Sequence, residues 1–294
     1  MLHRRTTLIL ALAAAVAAAL AVWGAGEVLS RAHPSDVGAP PPDLAARPME
    51  TLTAAGDLVS GWMVPGQPGM GAVLLLHGVR SDRRQMLERA RFLHRLGYAV
   101  LLVDLPAHGA SAGQRITYGQ REAQGVRAAL AYLAQELPAE RVGVIGVSLG
   151  AASLVLARPA LTPPLAPKAV VLESMFPTIE DAVTDRLEVY LGPMGGVLTP
   201  LLLWQLPLRL GISADQLRPI EALADLHTPV LIASGAADRL TTLDETRRIH
   251  AAAHQPEALW VVDGAAHVDL HAFDPAAYEA RVSGFLARHL RAVR

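Results

Sequence analysis

The stretch Val142-Gly143-Val144-Ile145-Gly146-Val147-Ser148-Leu149-Gly150-Ala151-Ala152 constrains the fold more than any other part of the chain. Val142 to Ile145 is apolar and β-branched, the composition of a buried strand. The run breaks at Gly146, and a small-residue, helix-prone segment follows from Leu149 to Ala157. A strand that turns directly into a helix brings two backbones close together, and glycines at 146 and 150 omit the side chains that would collide. Ser148, between them, is free to take a strained conformation that lifts its hydroxyl clear of the sheet. The helix behind it aims its N-terminal N–H groups at any negative charge that develops nearby. The competing reading is a glycine-rich loop with a solvent-facing serine; the strand before and the helix after argue against it.

A chain of 294 residues suits one large α/β domain or two small ones, and buries a sizeable core without disulfides. It has no cysteine, which excludes a disulfide framework, a thiolate metal site and a cysteine nucleophile. The formal net charge is −1 and no long single-sign run occurs, so a nucleic-acid partner is not expected. Lys168 is the only lysine and lies just before an apolar strand, a poor place for Schiff-base chemistry.

Residues 1–30 read as a targeting segment, either a signal anchor or a signal peptide. His3-Arg4-Arg5 is its basic start, and Leu8 to Ala25 is uncharged and rich in alanine and leucine. As a helix that run spans about 27 Å, enough for a bilayer core. Ala19-Leu20-Ala21 offers a small-x-small cleavage site. Retained, the segment anchors the chain in a membrane; cleaved, it leaves a secreted or periplasmic protein. Either way Arg4 and Arg5 hold the N-terminus in the cytoplasm and the remainder faces outward. Residues 31–48, with Ala39-Pro40-Pro41-Pro42, read as a semi-rigid tether, and a single domain is expected from Met49 to residue 294.

From Met49 strands and helices alternate. Met49–Thr53 and Leu58–Val64 flank Ala55-Gly56-Asp57, a hairpin signal. Val73–His77, Ala99–Asp104, Val142–Gly146, Ala169–Glu173, Val230–Ser234 and Ala258–Val262 are further apolar runs. Val126, Leu130, Leu133 and Leu137 share one helical face, as do Tyr278, Val282, Phe285 and His289. The pattern predicts an eight-stranded, mostly parallel sheet with helices on both faces. Residues 175–226 break the rhythm. The apolar, proline-broken piece from Leu198 to Gly211 reads as a cap, with Leu201, Leu202, Leu203 and Trp204 lining an apolar pocket. An ordinary core insertion, or a surface that touches the bilayer, accounts for the same composition.

A serine needs a base to take its proton, and the base needs a third group to orient it. In open α/β sheets such groups gather beyond the carboxyl ends of strands. Asp238 follows the run Val230–Ser234, and His267 follows Ala258–Val262. The order Ser148, Asp238, His267 is the order of one fold in particular. From about Met49 onward the sequence resembles the α/β-hydrolase superfamily, and its serine esterase-like, single-pass branch most of all. The matching residues are Leu76-His77-Gly78, Asp104-Leu-Pro-Ala-His108-Gly109-Ala-Ser111, the Gly146–Gly150 turn, Asp238 and His267.

The resemblance implies that Ser148 attacks an acyl carbonyl, that His267 takes and returns the proton, and that Asp238 fixes the imidazole. It implies an oxyanion hole made by the Leu149 and Val79 N–H groups. Gly78-Val79-Arg80 replaces the extended glycine run of some relatives. Glu173, at the end of the sixth strand, is the alternative acid. His267-Val-Asp269-Leu-His271 does not match a zinc-helix spacing, so no metal is expected. Arg80, Arg83 and Arg84 gather at a helix start, where positive charge opposes the dipole, and Arg80 is a candidate to hold an anionic substrate group. The expected activity is cofactor-free cleavage of a carboxylic ester or thioester through an acyl-enzyme. A peptidase or amidase using the same triad, and a non-catalytic envelope binding protein on the same fold, are the alternatives.

Overall fold

The apolar runs become strands of one sheet in the computed structural model, which describes residues 2–158 and 165–291. The strands are β1 (Arg47–Leu52), β2 (Leu58–Val64), β3 (Ala72–Leu76), β4 (Ala99–Val103), β5 (Val142–Val147), β6 (Ala169–Glu173), β7 (Val230–Gly235) and β8 (Pro256–Val262). Across the sheet their order is β8-β7-β6-β5-β3-β4-β2-β1. β1 and β2 form an antiparallel hairpin and β2 pairs antiparallel with β4. Every pairing from β4 to β8 is parallel.

Parallel strands need covered faces, and their composition follows. In β3, Ala72, Leu74 and Leu76 face one core while Val73 and Leu75 face the other, all fully buried. α3 (Glu122–Glu136), α4 (Leu149–Leu156) and α9 (Leu243–Ala252) pack on the first side. α2 (Leu87–Arg95) and α11 (Pro275–Leu290) pack on the second. From β3 the chain crosses to β4 on one side and returns to β5 on the other. That reversal opens a crevice at the carboxyl ends of β3 and β5, where ligands bind in sheets of this kind.

Between β6 and β7 lies a helical layer: α5 (Ile179–Leu191), α6 (Thr199–Leu203), α7 (Leu206–Leu210) and α8 (Pro219–Ala222). Thr178 caps α5 by accepting from the Asp181 N–H, and Glu180 and Asp181 in the first turn favour its dipole. Ile179, Leu206, Leu210, Ile212 and Leu217 give this layer a small core of its own.

The N-terminal helix α1 (Leu2–Ser30) is continuous and runs about 43 Å. Residues 31–48 are not a free tether. His33–Pro34 pairs with His108–Gly109, the Ser35 hydroxyl donates to Asp82, Arg91 holds Asp43, and Leu44 is buried. The segment runs along the domain surface and is held there at these points.

At the β5–α4 turn, a Cβ on Gly150 would lie 2.5 Å from the Leu76 carbonyl oxygen, and one on Gly146 would lie 2.6 Å from the Ala151 nitrogen. Both obstacles are backbone, so neither can step aside. Gly150→Ala should therefore lower folding stability by about 1–3 kcal/mol, read as a drop in the urea midpoint at unchanged slope.

Candidate active site

Ser148 holds φ 49° and ψ −107°, a left-handed backbone that a side-chain-bearing residue keeps only when its surroundings dictate it. Its N–H donates to the Glu173 carbonyl at 2.8 Å, which pins the turn to the end of β6. The side chain opens on a cavity of about 260 Å³. Val79, Arg80, Leu149 and Leu202 line that cavity, with Tyr118, Phe176, one face of α5 and Leu29 from α1.

Asp238 and His267 lie beyond the adjacent strands β7 and β8. The two side chains meet at 2.8 Å, Nδ1 to Oδ2. Asp238 also accepts from the Leu240 N–H (2.8 Å), the Thr241 N–H (2.9 Å) and the Thr241 hydroxyl (2.8 Å). Burial pushes its carboxyl upward, but the His267 and Thr241 bonds outweigh that and hold it below the usual aspartate range. An ionised Asp238 facing Nδ1 selects the tautomer that carries its proton there, leaving Nε2 unprotonated.

Val79 and Leu149 line the cavity beside Ser148. α4 begins at Leu149, so the Leu149 N–H belongs to the first turn and has no helix carbonyl to bond. Val79 is placed by His77. The buried imidazole accepts the Leu105 N–H on Nε2 (3.0 Å), and Nδ1 donates to the Gly78 carbonyl (2.7 Å). In a planar trans peptide the Gly78 carbonyl and the Val79 N–H point opposite ways. Holding the carbonyl toward His77 turns the Val79 N–H away from it.

Glu173 is engaged elsewhere. Its carboxylate is buried on Arg89, with Nη2 at 2.7 Å and Nε at 3.3 Å, and also accepts from the Tyr278 hydroxyl. Arg89 reaches Asp269 at 2.8 Å, and Asp269 accepts from the first N–H groups of the short helix at Leu270. His271 stacks on Phe92 and meets Glu279 at 3.2 Å. Members of the His267–His271 run are thus directed to different partners, and no metal-holding group of three occurs among the described residues.

The arginines divide. Arg83 is buried on Asp104 at 2.6 Å and over the Trp62 ring. Arg84 pairs with Asp82. Arg80 lines the cavity, yet its guanidinium donates to the carbonyls of Val28 and Leu29 at the end of α1. Of the cap residues named from sequence, Leu202 lines the cavity, whereas Leu201 and Trp204 are on the outer surface, 51% and 67% exposed. Leu203 lines a smaller neighbouring cavity. Sequence reasoning missed the α5 face, Thr241, Leu29, Tyr118 and Phe176. The α5 face of Ile179, Val183 and Leu187 carried a readable spacing of four. Thr241 was visible only as a turn residue after Asp238. Leu29 lay in a segment set aside as targeting sequence.

Residues 73–281 match the Alpha/beta hydrolase family, and the chain belongs to it. An uncharacterized protein of Mycobacterium tuberculosis is 32% identical over 237 residues, covering 78% of this chain and 75% of the relative. An uncharacterized protein of Bacillus subtilis is 23% identical over 235 residues, covering 80% and 77%. Among solved structures, a Pyrococcus furiosus esterase superposes with a TM-score of 0.68 at 26% identity, covering 88% of this chain and 98% of that one.

Burial depresses the His77 imidazole to about 4, with neighbouring His108 acting the same way. In the unfolded chain it titrates near 6.5. Between those values the unfolded state binds more protons, so stability is complete above about pH 6.5 and falls as pH drops toward 4. The contribution is about 3 kcal/mol. Urea unfolding across this window should lose about one proton of pH slope in His77→Gln.

Proposed function

We propose that this chain is a membrane-anchored serine hydrolase that cleaves carboxylic esters or thioesters. The observation that carries the reading is the strained Ser148 at the cavity floor, with the bonded His267–Asp238 pair at the next strand ends. In this reading His267 Nε2 takes the Ser148 proton as Oγ bonds to the acyl carbon. The carbonyl oxygen becomes an oxyanion facing the Leu149 and Val79 N–H groups, each worth about 10²–10³ in rate. Collapse expels the alcohol or thiol, which leaves with the proton from Nε2. Water, deprotonated by the same nitrogen, then attacks the acyl-enzyme, releasing the acid and restoring Ser148. Asp238 keeps Nδ1–H in place throughout, and no cofactor enters the cycle.

The cavity wall favours an acyl chain over a peptide. Leu29, Leu149, Phe176, Ile179, Val183 and Leu202 present apolar side chains, and the polar side chains beside Ser148 are confined to Arg80, Tyr118, Arg186 and Tyr190. Retention of α1 as an anchor is supported by the bonds that fix its last turns to the domain, described below. The chemical assignment is tested by kinetics on an acyl-ester chain-length series. Ser148→Ala should lower kcat by about 10⁴-fold or more, and Asp238→Asn by about 10⁴-fold. Glu173→Gln should keep kcat per folded molecule while destabilising the fold by about 1–3 kcal/mol, because buried Arg89 loses one carboxylate partner and keeps Asp269. If Glu173→Gln abolishes turnover and Asp238→Asn spares it, the acid is misassigned. Equal rates for all chain lengths, with faster amide cleavage, would favour an amidase.

A further inference from the structure

From Arg5 to Ala21, about 25 Å of helix, α1 is exposed all round, with Leu8, Ile9, Leu12, Val16 and Leu20 half or more uncovered. From Val22 onward it is fastened to the cap. Gln205 Nε2 donates to the Val22 carbonyl at 2.9 Å and Arg209 Nη2 donates to the Trp23 carbonyl at 2.7 Å. The Arg209 guanidinium covers the Trp23 ring at 4.3 Å and pairs with Glu27, which Arg115 also holds. An aromatic ring followed by charged groups, at the end of an apolar helix, is the composition of a membrane–water boundary. The bonds to Gln205 and Arg209 place α6 and α7 beside that boundary.

The same helical run carries a second apolar face. Val197, Leu201, Trp204 and Leu208 recur at intervals of four, three and four and are 67%, 51%, 67% and 64% exposed. Leu202, Leu206 and Leu210 point the other way, into the cavity wall and the cap core. A run that is apolar on both faces needs a second apolar partner. The one beside it is whatever surrounds α1. The cavities also lead there. The space above Ser148 shares Leu29, Tyr118, Ile179, Val183 and Leu202 with a smaller cavity that reaches Gly26 and Leu203 against α1.

We propose that the Val197–Leu208 face is seated in the leaflet that α1 leaves, and that the Ser148 cavity fills from that leaflet. The substrate is then a bilayer-resident lipid ester whose acyl chain enters beside the last turns of α1. This rests on the anchored-hydrolase reading, and the experiment separates the two. The chain has no cysteine, so single reporters can be introduced into the full-length protein without other changes. Leu208→Cys, Leu12→Cys and Gln135→Cys, each labelled with bimane, are reconstituted in palmitoyl-oleoyl-phosphatidylcholine vesicles containing doxyl-labelled lipid. Gln135 ends α3 at the opposite pole, near the start of β5. Quenching at residues 12 and 208 but not 135 is the expected result. Quenching at 12 alone overturns the seated cap and leaves the anchor standing. No quenching at 12 removes both.

A second arm reads loading. V197D/L208D changes only exposed positions. It should hydrolyse a water-dissolved acetate ester within twofold of wild type, and a diacylglycerol ester carried in vesicles at least tenfold more slowly. Unchanged rates on both, or equal losses on both, would overturn leaflet loading.

Discussion

The approach of α4 to the end of β3 is the constraint on which the site depends. At Gly150 the helix backbone passes so close to the Leu76 and His77 carbonyls that no side chain fits between. That contact fixes where α4 begins, and so fixes Ser148 in its left-handed turn and Leu149 in the first helical turn. Because β3 is also the strand from which Val79 emerges, one close approach sets the relation between Ser148 and the two residues, Leu149 and Val79, that line the cavity with it. A strained residue costs about 1–3 kcal/mol, which the surrounding sheet must over-determine. The fully buried strands on either side do so.

Buried charge then holds the loops around that centre. Asp104 accepts from Arg83 and from the Ala110 N–H at 2.7 Å, binding the loops after β3 and β4 to each other. Arg89 joins Glu173 at the end of β6 to Asp269, just past His267. Each is a bracket between segments distant in sequence, and breaking one leaves an uncompensated buried ion. This explains why Glu173, at a strand end suited to a catalytic acid, is spent on structure. Among the described residues, Asp238 accepts only from its own turn and from His267, so its charge is directed at the imidazole.

Much of the fold was legible because parallel strands are apolar on both faces. Runs such as Val142–Gly146 and Ala169–Glu173 stand out, and both fall on observed parallel strands. The turn at Gly146–Gly150 was legible because glycine is the one residue that close backbones admit. Less legible was anything that depended on which face of a short helix points inward. Leu201, Leu202 and Trp204 are near-neighbours of similar apolarity, and only the direction of α6 separates the lining residue from the two outside. The segment at residues 31–48 misled for a related reason. Its prolines mark the absence of helix, but not whether the extended chain lies free or against a surface. Arg80 illustrates a third limit, since its partners are carbonyls of α1, which composition cannot reveal.

The proposed chemistry turns on Ser148 being an activated nucleophile. The most direct measurement is the intact mass and peptide map of the folded, full-length protein after exposure to a fluorophosphonate. One adduct, on the peptide containing Ser148 and absent from Ser148→Ala, is the predicted result. An unmodified folded wild type, or an adduct that persists in Ser148→Ala, would contradict it.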